Sequence, residues 1–297
     1  MRSPYTRPRS RRHGSQRIIG RERRANTGAS SPRRIEVPGH SGWRPPRGSP
    51  TPPCWLARAL AVFLVVEIAL ALAAEAGAWR RVLRDRFSHS GAPPVHWHLY
   101  DGPYGSGAQN CARPSHDYVS RGKLHLLMKY ESSGNCGPSW YTGGMMLAKR
   151  FRSIDQRITL RWRVVNRKVR SHRNIPMRWP SPDNWPVGGE EDFCESTGTA
   201  GCSTFLHYGA GNDQIEHRYT VDLTRWHRWR LVRRSHVVRV YRDDRNVPVW
   251  IYHGSRKTLP DHPKRIVLQQ ECDFGGCPSG TAGREDIQID WIRVDNS

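Results

Sequence analysis

Acidic residues are scarce in this sequence, and long helical patterns are missing from most of it. Lysine and arginine number 48 against 26 aspartates and glutamates, which leaves a net charge of +22 over 297 residues. Residues 1–53 contain thirteen arginines and only Glu22 and Glu36 as acids, so half of the net charge lies there. This segment is rich in proline, serine and glycine and buries too little apolar surface to offset its ordering entropy. We expect residues 1–53 to form a disordered basic tail.

A basic tail can attract nucleic acid or anionic lipid, because contact with phosphate requires charge more than sequence. The run Arg9-Ser10-Arg11-Arg12 would suit either partner. Neither a stacking platform nor a base-reading module accompanies it, so we do not expect nucleic acid to be a partner. A solvated tail and a translated leader are the alternatives.

The segment that follows, residues 54–79, is apolar apart from three charged residues, Arg58, Glu67 and Glu75. An uncleaved membrane anchor is one interpretation, because arginine-rich sequence before it favours an orientation with the N-terminus inside. A signal-peptide core is the second, with Ala71-Leu72-Ala73 or Ala74-Glu75-Ala76 as the cleavage site. Both predict one apolar helix and an extracytoplasmic chain beyond it, either anchored or secreted. A buried helix of a soluble domain is the third interpretation.

The seven cysteines include no Cys-x-x-Cys pair, and the histidines are scattered, so a zinc site is less favoured than disulfides. Beyond Cys54 six cysteines remain, an even number that is typical of disulfides in an oxidising compartment. Pairing of nearest neighbours is the simplest of the combinations. It would join Cys111 to Cys136, Cys194 to Cys202, and Cys272 to Cys277.

From about residue 88 to residue 297, no helical period extends beyond a couple of turns. Short alternating runs bounded by Gly, Pro, Asn and Asp recur instead, at residues 124–130, 157–165, 229–234, 237–242, 265–270 and 286–294. About 210 residues with many strands and no repeat are typical of one sandwich or jelly roll, in which two sheets share a core. We predict a single all-β domain over residues 88–297.

One acidic run stands out in this basic domain: from Glu190 the sequence reads Glu-Glu-Asp-Phe-Cys-Glu. Side chains alternate along a strand, so Glu190 and Asp192 face one way and Glu191 the other. Glu195 joins the first face only if a β-bulge near Cys194 inserts one residue. Such a face suits retaining glycoside hydrolysis, in which one carboxylate is the nucleophile and a second is the acid/base. A solvated acidic turn or a set of calcium ligands is the alternative.

Tryptophan is abundant, and most of the twelve are expected in the core. Trp179 and Trp185 differ, because they flank the loop just before the acidic strand. A sugar ring can lie on an exposed indole face, so both are candidates for lining a substrate cleft.

The stretch from Trp179 to Glu195 resembles the active-site segment of glycoside hydrolase family 16, in its laminarinase-like branch. That pattern is Trp-Pro, a short loop, and Gly-Glu-x-Asp-x-x-Glu. The resemblance implies the roles of nucleophile, electrostatic helper and acid/base, in that order, for Glu190, Asp192 and Glu195. Residues 204–209 resemble the family's Thr-x-x-His-Tyr-Gly strand, which implies that His207 faces the cleft.

The similarity spans roughly residues 120–294 and implies a β-jelly roll of the concanavalin A-like type that cleaves internal β-linkages with retention. Two residues depart from the family pattern. Glu191 stands where an apolar residue is usual, and a carboxylate pointing into the core is costly unless it is paired. Cys194, at the expected bulge, is not required by the pattern.

The preferred hypothesis is therefore an endo-acting glycosidase whose partner is a polysaccharide, with the membrane as a second partner if residues 54–79 stay uncleaved. A carbohydrate-binding or wall-associated protein with little or no catalysis is one alternative, and a transglycosylase is another. We expect no cofactor and no catalytic metal. A structural calcium ion is common in such folds, although no spaced set of Asp and Asn identifies its ligands.

Overall fold

The computed structural model describes residues 79–104, 111–151, 155–167, 169–272 and 276–297, without the side chains of residues 166 and 167. The expected tail and the apolar segment up to residue 78 lie outside the described residues, so the disordered tail and the apolar helix stay predictions. Within the described ranges, no helix is long and apolar enough to cross a membrane.

The described residues form eighteen β-strands and one short 3-10 helix, Pro114–His116. In chain order the strands are β1 Arg80–Asp85, β2 Trp97–Leu99, β3 Gly102–Pro103, β4 Cys111–Ala112, β5 Asp117–Ser120, β6 Lys123–Glu131, β7 Ser139–Thr142, β8 Gly144–Leu147, β9 Gln156–Arg167, β10 Ser171–Pro180, β11 Glu190–Ser196, β12 Gly201–Tyr208, β13 Asp213–Thr220, β14 His227–Arg234, β15 Val237–Arg242, β16 Trp250–His253, β17 Lys264–Cys272 and β18 Arg284–Asn296.

The strands form two sheets. The larger has eleven strands in the order β16-β15-β14-β9-β18-β6-β7-β4-β3, with β1 beside β18 and β5 beside β6. The smaller has seven, in the order β13-β12-β11-β10-β17-β8-β2. Side chains from both sheets contribute to one large apolar cluster. This confirms the predicted all-β sandwich and is consistent with a jelly roll.

Alternation along the strands explains which faces are buried. In β9 every second side chain lies in the core, namely Ile158, Leu160, Trp162 and Val164. The residues between them, such as Arg161 and Arg163, point away from the core. Burial of each aliphatic side chain stabilises the fold by roughly 1.5–3 kcal/mol. The outer face of β9 is thereby left mainly to arginines, namely Arg157, Arg161 and Arg163.

Three disulfides join the cysteines as nearest-neighbour pairing predicts, Cys111 with Cys136, Cys194 with Cys202, and Cys272 with Cys277. They are consistent with an oxidising, extracytoplasmic compartment. Strand β1 lies before residue 88, the predicted start of the domain, and pairs with the end of β18.

Candidate active site

A bulge in β11 decides which carboxylates share a face. The pairing of β11 with β12 shifts by one residue between Asp192 and Glu195. Phe193 and Cys194 both contribute to the core. Glu195 therefore returns to the outer face that carries Glu190 and Asp192. The structure confirms the predicted bulge and brings the three carboxylates together.

Two local features accompany this bulge. The neighbouring strand β10 has its own register shift against β17, between Asn174 and Met177. Pro176 lies inside this shift, and proline cannot donate to the ladder of a sheet. On the other side, the disulfide between Cys194 and Cys202 ties the bulge to β12. The cysteine that departs from the family pattern thus fixes the bulge to its neighbour.

Glu190 lies at one end of the carboxylate row. The indole nitrogen Nε1 of Trp185 donates a hydrogen bond to its Oε2 at 2.6 Å. Burial and the charge of Asp192 raise the pKa of Glu190 well above its usual range, and the Trp185 hydrogen bond opposes that rise. The indole N–H therefore favours the ionised carboxylate, which is the form that a nucleophile needs.

Asp192 occupies the centre of the row and is fully buried. Asn174 Nδ2 donates a hydrogen bond to its Oδ1 at 2.6 Å, and His207 Nε2 lies 3.1 Å from its Oδ2. Burial disfavours a charged imidazole, but the hydrogen bond and charge of Asp192 raise the pKa of His207 to about 9. His207 faces the site, as the resemblance implied, and as a cation it is paired with Asp192.

Glu195 lies at the other end, where His172 Nε2 is 2.8 Å from its Oε1. The opposite nitrogen of the ring, Nδ1, is 2.9 Å from Oε1 of Glu271. Despite burial, these two carboxylates raise the pKa of His172 to about 10. Burial raises the pKa of Glu195, and His172 partly offsets this rise. A raised pKa suits a carboxyl to general acid catalysis at neutral pH, a property that Glu195 shares with Glu190.

The positive charges of the two histidines balance the negative charges of the carboxylates only in part. Two imidazolium groups, His172 and His207, are each committed to a buried carboxylate partner. The pKa values of both Glu190 and Glu195 are raised, mainly by burial and further by the charge of Asp192. Carboxyl groups in this situation do not all ionise together. The arrangement favours one protonated and one ionised glutamate.

The two tryptophans of the preceding loop lie beside Glu190. Their rings are nearly parallel, at an interplanar angle of 6° and a centroid distance of 6.3 Å. Trp185 Nε1 donates its hydrogen bond to Glu190, and Trp179 Nε1 donates one to Asp183 at 3.1 Å. The tryptophans selected from the sequence thus form an aromatic wall at the Glu190 end of the site.

Glu191 points into the core, as alternation predicts, and only 2% of its surface is exposed. It forms ion pairs with Arg178 and with Arg233, whose Nε lies 3.1 Å from Oε1. Burial alone would raise the pKa of this carboxyl, but the charges of Arg178, Arg233 and Lys264 lower it to about 2. The departure from the family pattern is therefore a paired buried charge.

Lys264 fixes the entry to β11. Its ammonium group donates hydrogen bonds to the carbonyls of Gly188 and of Gly189, the latter at 2.6 Å. Gly189 has φ +73°, and a side chain there would meet Pro260 at 3.0 Å. Burial lowers the pKa of Lys264 to about 7. The backbone leading to Glu190 is thus held from the core side.

Three residues that contact the carboxylates or their partners do not stand out in the sequence: His172, Asn174 and Glu271. The first two lie on β10, whose side chains are buried on nearly every position. A strand buried on both faces shows no alternation, so it was not recognised. The spacing His-x-Asn was the available signal, because the two residues share a face.

Glu190, Asp192 and His207 also offer three ligand atoms within 4.8 Å of one another, a spacing that could hold a metal ion. Metal binding would require a neutral His207, because a protonated imidazole cannot act as a ligand. The expectations of no cofactor and of a structural calcium ion stay predictions.

No protein-family model and no curated protein sequence matches this chain. Solved structures do match. The catalytic domain of an endo-1,3-β-glucanase (laminarinase) from Thermotoga petrophila is 18% identical, with a TM-score of 0.63 over 74% of this chain and 98% of that chain. A glutamate-to-serine variant of LamA from Zobellia galactanivorans, in complex with laminaritriose and laminaritetraose, is 16% identical, with a TM-score of 0.61 over 74% and 100%.

A third structure comes from Mycobacterium tuberculosis and is described as an immunostimulatory antigen and pseudo β-1,3-glucanase. It is 17% identical, with a TM-score of 0.62 over 73% of this chain and 99% of that chain. At sequence identities this low, the similarity shows the fold alone. It confirms the resemblance as far as the fold is concerned. This chain has the laminarinase-like fold of glycoside hydrolase family 16.

Proposed function

We propose that this protein is an endo-acting glycosidase that hydrolyses internal β-linkages of a glucan with retention of configuration. The observation that carries this proposal is the bulge in β11, which puts Glu190, Asp192 and Glu195 on one face. Structures of the same fold include an endo-1,3-β-glucanase and a protein bound to laminari-oligosaccharides. A β-1,3-linked glucan is therefore the first substrate to test.

In the first step, the ionised carboxylate of Glu190 attacks the anomeric carbon while Glu195 donates its proton to the glycosidic oxygen. The C–O bond breaks, the shortened chain leaves as an alcohol, and a glycosyl ester forms on Glu190. In the second step, Glu195 takes a proton from water, whose oxygen attacks the anomeric carbon and releases Glu190. Asp192, paired with His207, lies between the two glutamates.

The neighbouring residues prepare each group for its role. Trp185 orients Glu190 and favours its charged form, while His172 orients Glu195. Trp179 and Trp185 offer a surface on which a sugar ring can stack. Hydrolysis of a long polymer outside the cytoplasm fits the three disulfides, and residues 54–79 would decide between secretion and membrane anchoring.

The decisive experiment compares the wild type with Glu190→Gln and Glu195→Gln on β-1,3- and mixed-linkage glucans. Each variant should lower kcat/KM by about a thousandfold or more. Asp244→Asn is the matched control, because its side chain is 86% exposed on a hairpin of the other sheet. Proton NMR of the first products should show the β-anomer before mutarotation. Variants as active as the wild type would overturn the assignment of these residues.

A carbohydrate-binding protein with little or no catalysis is the second candidate, favoured by the pseudo β-1,3-glucanase of the same fold. Retained binding without turnover across a glycan panel would support it and overturn the hydrolase. A transglycosylase would use the same carboxylates with a sugar as acceptor. Longer oligosaccharides among the products would identify it.

A further inference from the structure

A cavity of about 550 Å³ lies on the eleven-stranded sheet, away from the carboxylates of the seven-stranded sheet. Its residues come from β5, β6, β9, β18 and the turn between β5 and β6. Alternation assigns them to the outer face, because their neighbours Val119, Leu124, Trp162 and Ile287 are all in the core. Its size falls within the roughly 300–1,000 Å³ that is typical of small-ligand sites. We call it the basic cavity.

The floor of the basic cavity is built from polar groups that already satisfy one another. His125 Nδ1 lies 2.9 Å from Oδ2 of Asp286, and Gln288 Nε2 donates a hydrogen bond to the same oxygen at 2.8 Å. The ring of Tyr118 stacks on His125 at 4.6 Å with an interplanar angle of 1°. Asp286, the acidic residue of the lining, is therefore occupied at the floor.

Four cations surround this floor: Arg121, Lys123, Arg163 and Arg284. None of them forms an ion pair with a carboxylate among the residues the structure describes. Arg121 has φ +50° and precedes Gly122 at φ +71°, so a tight turn between β5 and β6 carries it to the cavity. The positive charge of these four side chains therefore exceeds the negative charge of Asp286 at the floor.

Arg163 is held in place before any ligand arrives. Its Nε and Nη2 donate hydrogen bonds to Oε1 of Gln288 at 3.1 and 3.0 Å. Its guanidinium also lies 4.7 Å from the ring centre of Trp226. An arginine fixed in this way loses little side-chain entropy on binding, and the guanidinium edge that does not contact Gln288 can bind a carboxylate or a sulfate.

We propose that the basic cavity binds acidic sugar units, carboxylated or sulfated, of a polysaccharide. The cations would neutralise the acid groups. The second amide hydrogen of Gln288 and the hydroxyl oxygen of Ser120, which lies 3.1 Å from His125 Nε2, would bind sugar hydroxyls. The site lies on the sheet opposite Glu190, so it anchors the domain to an anionic matrix and leaves the cleft free. This binding does not require hydrolysis.

The test is a charge reversal at the two exposed arginines, Arg121→Glu with Arg284→Glu. Arg245→Glu with Arg256→Glu is the matched control, because both residues are exposed and the change in net charge is the same. Binding to polygalacturonate and to dextran sulfate is measured by titration calorimetry at several salt concentrations. Thermal unfolding of each variant verifies that it is folded.

We expect the wild type to bind both acidic polymers, with affinity that falls as salt rises. The reversal at the cavity should weaken binding by about tenfold or more, and the control pair by less than about threefold. Equal losses in both pairs would show diffuse surface charge and overturn the proposal. So would absence of binding in the wild type.

Two further measurements distinguish an acidic polysaccharide from other anionic ligands. Inorganic phosphate and sulfate, at matched concentrations of charge, should compete poorly with the polymers, and strong competition would indicate a small-anion site instead. Single-stranded DNA that binds more tightly than either polysaccharide would likewise contradict the proposal.

The same titrations with Glu190→Gln keep the two proposals distinguishable. That variant should bind acidic polymers as the wild type does, while the cavity variant should retain turnover of a short neutral glucan. Loss of polymer binding in Glu190→Gln would place the anionic ligand in the cleft and overturn the second site.

Discussion

Nε2 of His172 lies 2.8 Å from Oε1 of Glu195, and Nδ1 of the same ring lies 2.9 Å from Oε1 of Glu271. One imidazolium thus bridges the proposed acid/base and a buried carboxylate on β17. The bridge sets both the orientation of Glu195 and its affinity for a proton, which makes His172 a positioning residue for the proposed reaction.

Replacement of His172 by glutamine should move the alkaline limb of the pH profile of kcat/KM to higher pH. The imidazolium lowers the pKa of Glu195, so its loss raises that pKa, and the protonated acid persists at higher pH. The measurement is kcat/KM from pH 5 to pH 10. His227→Gln, in the other sheet and paired with Asp243, is the control and should leave the limb in place. An unmoved limb in His172→Gln would show that this histidine is only structural.

Trp185→Phe should lower kcat/KM by about tenfold at neutral pH and move the acid limb of its pH profile upward. Phenylalanine keeps an aromatic ring but removes the N–H that donates to Glu190, so the pKa of this glutamate rises. Trp179→Phe is matched to it, because its N–H donates to Asp183 instead. Identical effects of the two variants would mean that ring stacking alone matters.

Glu191→Gln should reduce the free energy of unfolding at pH 7 by about 3–5 kcal/mol, because it leaves Arg178 and Arg233 buried without their counter-charge. The folded-state pKa of about 2 lies below the ordinary value of 4.5, so the ionised form stabilises the fold above pH 4.5. That contribution disappears as the pH falls from 4.5 to 2, and the wild type should approach the variant there. Urea unfolding across this range measures it.

The control for this substitution is Asp244→Asn, which removes an exposed carboxylate and should change stability by less than about 0.5 kcal/mol. A gap between wild type and Glu191→Gln that stays constant from pH 7 to pH 2 would contradict the ion-pair explanation.

Removal of the disulfide at the bulge, by Cys194→Ser with Cys202→Ser, should cost about 2–3 kcal/mol of stability and also lower kcat. The bond fixes the bulge that aims Glu195, so its loss disturbs the carboxylate row. Cys111→Ser with Cys136→Ser should lower stability at least as much but leave kcat near the wild-type value, because that bond joins segments of the other sheet. Thermal unfolding measures the stability of both double variants, and initial rates measure their kcat. Equal kcat values in the two double variants would show that the disulfide at the bulge does not affect catalysis.

Much of the site followed from local sequence. The row Glu190, Asp192 and Glu195 required only the two-residue period of a strand and one inserted residue. The disulfides followed from proximity along the chain. Trp179 and Trp185 stood out because they flank a loop that leads directly into the acidic strand.

The rest depended on residues distant in sequence. His172 and Glu271 are 99 positions apart, and Arg233 is 42 positions from Glu191. The cost of burying a carboxylate predicts that Glu191 needs a positively charged partner. No pattern in the neighbouring sequence identifies Arg178 or Arg233 as that partner. The basic cavity likewise joins four strands whose order in the sheet differs from their order in the chain.

By itself, then, the sequence determined the all-β class and the carboxylate row and favoured one of the possible cysteine pairings, because alternation and short loops act between near neighbours. The tertiary structure alone decided which cations and histidines meet those carboxylates. Sheet order sets those contacts, and β10, at the centre of the site, is buried on both faces and leaves no periodic trace in the sequence.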